Sequence, residues 1–82
     1  MLPVRFSRSA RKHRIGKAHA LEAMGNAGTP QIIPADTEHD ERLLWIGPDD
    51  RGVELEVIGI ECDDMLLVIH VMPYAYRRRP QS

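Results

Sequence analysis

The chain has a single cysteine, Cys62. One thiol excludes an internal disulfide framework and fits a reducing compartment. No histidine lies near Cys62 in sequence, so a thiol nucleophile has no support. No apolar run approaches the ~18 residues of a membrane span. The opening Met1-Leu2-Pro3-Val4-Arg5 has no hydrophobic core of a secretory signal. A soluble cytoplasmic protein is expected. There is no glycine-rich phosphate loop, dinucleotide fingerprint, internal repeat or long linker, and no cofactor is expected.

Acidic residues are absent from the first 21 positions, which hold Arg5, Arg8, Arg11, Lys12, Arg14 and Lys17. Residues 22–64 hold all twelve acids against only Arg42 and Arg51, and residues 65–82 add Arg77, Arg78 and Arg79 with no acid. The net charge of −1 therefore hides blocks of +6, −10 and +3. Such asymmetry points to a polyanion site or a charged partner, or to a solvated helix face plus a basic tail. At 82 residues, 43% apolar and 28% charged, the chain reads as one globular domain over residues 1–82. A domain of this size buries only roughly 60% of its unfolded surface, so a dimer or a tight partner would add to its core.

Local signals predict the elements. Val4-Arg5-Phe6 starts a short strand, Ser7 or Ser9 caps a helix over Ala10 to Arg14, and Ile15-Gly16 breaks it. A second helix covers Lys17 to about Asn26, with Ala18, Leu21 and Met24 on one stripe, and Gly28 and Pro30 end it. Gln31-Ile32-Ile33, between two prolines, fits only a sheet edge. Strands follow over Arg42 to Ile46, Val53 to Glu61 and Met65 to Met72, joined by turns at 47–52 and 62–64. Strict alternation puts Glu54 and Glu56 on one strand face, as a carboxylate pair or, more often, the wet face of a sheet, and groups Leu66, Val68, His70 and Met72 opposite Met65, Leu67, Ile69 and Val71. Gly59 marks a bulge candidate. The expected architecture is α+β: two N-terminal helices packed on a twisted antiparallel sheet of three to four strands.

Three segments carry candidate chemistry. His70 stands on an otherwise apolar strand just before the basic tail, as an acid, a base or a phosphate ligand, or as a core histidine. Tyr74-Ala75-Tyr76-Arg77-Arg78-Arg79 interleaves rings that stack on bases with guanidinium forks that match phosphate. Arg11-Lys12-His13-Arg14 is a basic cluster suited to phosphate. Glu38-His39-Asp40-Glu41 lacks a metal-ligand spacing, and His13 and His19 are poorly spaced for a shared helical metal site. No metal is expected.

These segments also resemble a known group. Lys12-His13-Arg14-Ile15 before a helix resembles the lysine-histidine-glycine-isoleucine/valine step of BrnT-like and related RelE-type toxins. The stretch from Trp45 to Val57 is similar to the hairpin of small actinobacterial members. Val68 to Pro73, followed by Tyr76-Arg77-Arg78, is similar to their last strand and tail. Arg14 stands where the group usually has glycine, and Met72-Pro73 where an arginine is usual. The resemblance implies a RelE/ParE-type fold and the toxin of a type II toxin–antitoxin system. The implied activity is an mRNA endoribonuclease that inhibits translation without a metal ion. The alternative is a non-catalytic gyrase- or ribosome-binding inhibitor, or an interaction module of that fold. The resemblance places His70, Tyr76 and Arg77 on the matching C-terminal positions, as catalytic candidates, and Lys12 and His13 on the helical one; by residue type, Arg14, Tyr74 and Arg78 join Lys12 and His13 as RNA or phosphate contacts. The implied partners are a cognate antitoxin and RNA, free or on the ribosome, with no membrane. A homodimer or a toxin–antitoxin hetero-oligomer is the expected assembly.

Overall fold

The computed structural model describes residues 2–77, with Arg77 described by its backbone alone. The elements are β1 (Val4–Phe6), a 3-10 turn (Ser9–Arg11), α1 (Lys17–Ala27), β2 (Gln31–Ile33), β3 (Arg42–Pro48), β4 (Glu54–Glu61), β5 (Leu66–Pro73) and α2 (Tyr74–Arg77). Five strands form one mixed sheet in the order β1-β5-β4-β3-β2. β1 runs parallel to β5, and every other pair is antiparallel.

This corrects the expected architecture. The sheet has five strands rather than three or four, it is mixed, and only one helix of substantial length packs on it. The fold implied by the toxin resemblance, with two helices against an antiparallel sheet, is likewise not what the chain forms. The first expected helix is replaced by the 3-10 turn. Its amides bond three residues back, Arg11 to Arg8, Lys12 to Ser9 and Arg14 to Arg11, and Arg14 with φ 58° ends the turn. The serines also have other work. Ser7 Oγ accepts the Ala10 N–H at 3.3 Å, and Ser9 Oγ donates to the Ile69 carbonyl at 2.8 Å. The chain is thereby tied to the edge of β5 beyond the reach of β1. α1 does form where expected, starting after extended Gly16 and ending at Gly28 with φ 77°.

The core lies between α1 and one face of the sheet. Trp45, Val57 and Val71 stand in register across β3, β4 and β5, and Leu55, Val68, Ala10, Ala20 and Ala23 complete the buried set. The buried stripe of α1 is Ala20 and Ala23, while Ala18 and Leu21 face solvent and Met24 packs only at the margin. Small residues win because the helix lies close to the sheet. A Cβ on Gly47 would come within 2.8 Å of the Ala23 carbonyl oxygen and the Ala27 nitrogen.

A bulge sets the faces of β5. Ile58 pairs with His70, but Gly59 pairs with Val68, leaving Ile69 extra. Val68 and Val71 therefore both enter the core, against strict alternation. A Cβ on Gly59 would press on Leu66, the Leu67 carbonyl and Trp45 at 3.3 Å each, so this crowded position suits glycine. The face away from α1 carries two rows in register, Leu44–Ile58–His70 and Ile46–Glu56–Met72. No helix among the described residues is long and apolar enough to cross a membrane.

Candidate active site

The end of β5, the turn before α1 and the short α2 bring three rings together. The His13 ring stands edge-on to His70, with centroids 6.3 Å apart at 86°, and edge-on to Tyr76, at 5.7 Å and 81°. Each ring arrives for a local reason. His13 follows the 3-10 turn that Ser9 fastens to β5. His70 is the β5 residue next to core Val71, so it faces away from α1. Tyr76 is carried by α2, which begins directly after Pro73 and packs against β4 and β5.

Behind His70 lies an acid. Glu56 is only 5% exposed, and its Oε2 lies 3.1 Å from His70 Nε2. The expectation that Glu56 faces water is overturned, whereas Glu54 is exposed. Central strand β4 buries Glu56 between Ile46 and Met72, its register neighbours on either side. Among apolar neighbours a carboxylate needs a hydrogen-bonding partner, and His70 supplies one. His70 itself is half-buried, its side chain 31% exposed.

The other candidates divide clearly. Lys12 and Arg14 flank His13 in sequence and are exposed. Tyr74 is half-buried at the start of α2 and takes no part in the ring contacts found for His13. The side chain of Arg77 and all of Arg78 lie outside the described residues. The cluster sits on an open surface, with no enclosed cavity among the described residues.

A second group of polar residues was not anticipated. His19 Nδ1 from α1 bonds Asp50 Oδ1 and lies 4.0 Å from Asp49 Oδ2. The three have metal-ligand chemistry and sit close enough to share an ion. Asp49 is already committed, however. Its Oδ1 accepts the N–H groups of Arg51 and Val53 at 2.8 and 3.0 Å, and its Oδ2 accepts Arg51 Nη2 and Nε at 2.7 and 3.0 Å. Burial pushes the Asp49 carboxyl up, but the Arg51 guanidinium and the two amides outweigh it and hold the group below its ordinary value. The His19 bond likewise depresses Asp50. The group therefore acts as a latch between α1 and the β3–β4 turn. The 36–42 loop is closed in the same manner, by Asp36 accepting the Glu38 and His39 amides at 2.8 and 2.7 Å.

No family model, curated protein or solved structure matches the chain. Two features of the cluster define what it can do. Two imidazoles and a phenol provide proton donors and acceptors, and among the described residues no enclosed pocket surrounds them.

Sequence reasoning found His13, His70 and Tyr76, but it weighed Glu56 only as a carboxylate pair with Glu54 on a wet face and not as a partner of His70. The signal that could have found it is the pairing register. An acid opposite Met72 and diagonal to His70 is placed to bond that histidine, but this register depends on the bulge.

Proposed function

We propose that this protein is the toxin of a type II toxin–antitoxin pair and that it cleaves RNA without a metal ion. The observation that carries the reading is the convergence of His13, His70 and Tyr76 on one open surface. The basic residues around His13 and the resemblance of three sequence segments to BrnT-like toxins support it further.

In this reading the ribose 2′-hydroxyl is the nucleophile. His70 takes its proton as the 2′-oxygen forms a bond to phosphorus. The bond from phosphorus to the 5′-oxygen breaks, and a donor returns a proton to that leaving oxygen. The products are a 2′,3′-cyclic phosphate and a 5′-hydroxyl, so atoms and protons balance with no further reactant. Imidazolium His13 is the better donor, because an imidazole titrates far closer to neutral pH than a phenol. Tyr76 then serves as a stacking platform for a base. Lys12, Arg14 and Arg77 supply positive charge to the phosphorane.

The same surface is where a cognate antitoxin would bind and silence the protein in the cytoplasm. The partner would cover apolar and basic surface that this small domain cannot bury alone, so binding should raise the melting temperature. Induced expression in bacteria tests the reading. Wild type should arrest growth, whereas soluble His70→Ala and His13→Ala proteins should not. Full arrest by both variants would contradict the site. Absence of arrest from soluble wild type would favour a binding module instead.

A further inference from the structure

We infer that Glu56 is a positioning residue, which fixes the His70 proton on Nε2 and leaves Nδ1 as the reactive nitrogen. The role in cleavage rests on the ribonuclease reading above, while the proton assignment rests on the contact geometry and the acceptor chemistry of a carboxylate. An ionised carboxylate only accepts hydrogen bonds. With Glu56 Oε2 3.1 Å from His70 Nε2, the imidazole must donate from that nitrogen. Its other nitrogen, Nδ1, makes no hydrogen bond to a described protein group. His70 keeps 31% side-chain exposure, so substrate can reach the ring.

The placement has a second consequence. When Nδ1 takes a proton the ring becomes cationic, and the carboxylate of buried Glu56 beside it stabilises that charge. The groups that meet the ring from other elements are His13, which precedes α1, and Glu56 on β4, while Tyr76 on α2 reaches it through His13. Of these only Glu56 is an acid. It rests on the most central strand, between Ile46 and Met72 in register, so the carboxylate has little freedom to move away. Positioning by a rigid buried acid is what a histidine at a strand end lacks by itself.

Two measurements test the inference. The first is the ring nitrogen spectrum of the 15N-labelled protein without RNA, with His70→Ala used for assignment. A protected Nε2–H signal of His70 is expected in wild type and should vanish in Glu56→Ala. A proton on Nδ1, or an unchanged signal in the variant, overturns the inference. The second is cleavage of a 5′-labelled RNA of random sequence. Glu56→Ala should lower kcat about 100-fold with KM within about twofold of wild type, inside the ~10²–10⁴ that a positioned acid–base group supplies. Glu56→Gln keeps an acceptor oxygen and should lose only about 10-fold. If Glu56→Ala fails to fold, Glu56→Gln decides the matter, and wild-type kcat in that variant overturns the positioning role. Wild-type protein that cleaves no RNA, yet shows the protected Nε2–H, overturns the ribonuclease reading and leaves the proton assignment standing.

Discussion

Val68 and Val71 lie three positions apart on β5, yet both are buried on the face covered by α1. The extra residue between them, Ile69, breaks the alternation. With strict alternation His70 would follow Val68 into the core. The bulge instead turns His70 to the opposite face, where Glu56 is its diagonal neighbour. The irregularity thus selects which residues of β5 build the core and which build the site.

The close seat of α1 makes a first prediction about packing. Gly47→Ala should destabilise the protein by about 1–3 kcal/mol, because the new methyl meets main-chain atoms that cannot swing aside. Gly25→Ala, with no atom within 4 Å of its added Cβ, should instead stabilise it by about 0.5–1 kcal/mol. Urea unfolding midpoints of the two variants should move in opposite directions. Movement in the same direction would contradict the contact assigned to Gly47.

Arg14 gives the second. Its φ of 58° is a conformation that costs an L-residue about 1–2 kcal/mol. Arg14→Gly removes that cost but adds freedom to the unfolded chain, so a net gain below about 1 kcal/mol is expected. The same variant should weaken RNA cleavage through loss of a phosphate contact. A higher melting temperature combined with slower cleavage would show strain kept for function. A lower melting temperature would show that Arg14 contributes contacts that outweigh its backbone cost.

Ser9 gives the third. Its hydroxyl donates to the Ile69 carbonyl and holds the turn that carries His13. Ser9→Ala should cost about 0.5–1.5 kcal/mol in unfolding experiments. Cleavage should fall by more than stability explains, because His13 loses its anchor. Unchanged cleavage in a folded variant would separate His13 from the chemistry.

The fourth concerns acid. The carboxyls of Asp36, Asp49 and Asp50 all sit below their ordinary value in the folded protein. A depressed carboxyl contributes stability that is fully present above its unfolded value of ~3.9 and is lost as pH falls through its folded value. Melting temperature should therefore drop on acidification below about pH 4, and Asp49→Asn should flatten that drop while lowering stability at pH 7. Identical acid slopes in both proteins would remove Asp49 from the account.

Much of the architecture was legible in local pattern. Gly28 and Pro30 marked the end of α1, flanking prolines placed Ile32 on an edge strand, and alternation around Val57 gave β4. Two kinds of information were not local. The parallel pairing of Val4–Phe6 with Leu66–Val68 joins opposite ends of the chain, and no periodicity reports it. The first helix gave way to a 3-10 turn whose Ser9 bonds the Ile69 carbonyl, 60 positions away, before Arg14 ends it in a left-handed conformation. The site shows the same division. His13, His70 and Tyr76 announce themselves by residue type, but Glu56 looks like a solvated strand residue until its cross-strand neighbours are known.

The most direct test of the ribonuclease account uses purified wild-type and His70→Ala proteins on one labelled RNA and its 2′-deoxy counterpart, in the presence of EDTA. The account predicts that wild type cuts only the RNA, leaving a 2′,3′-cyclic phosphate, and that His70→Ala leaves both strands intact. Cleavage of the 2′-deoxy strand, or undiminished cleavage by His70→Ala, would contradict it.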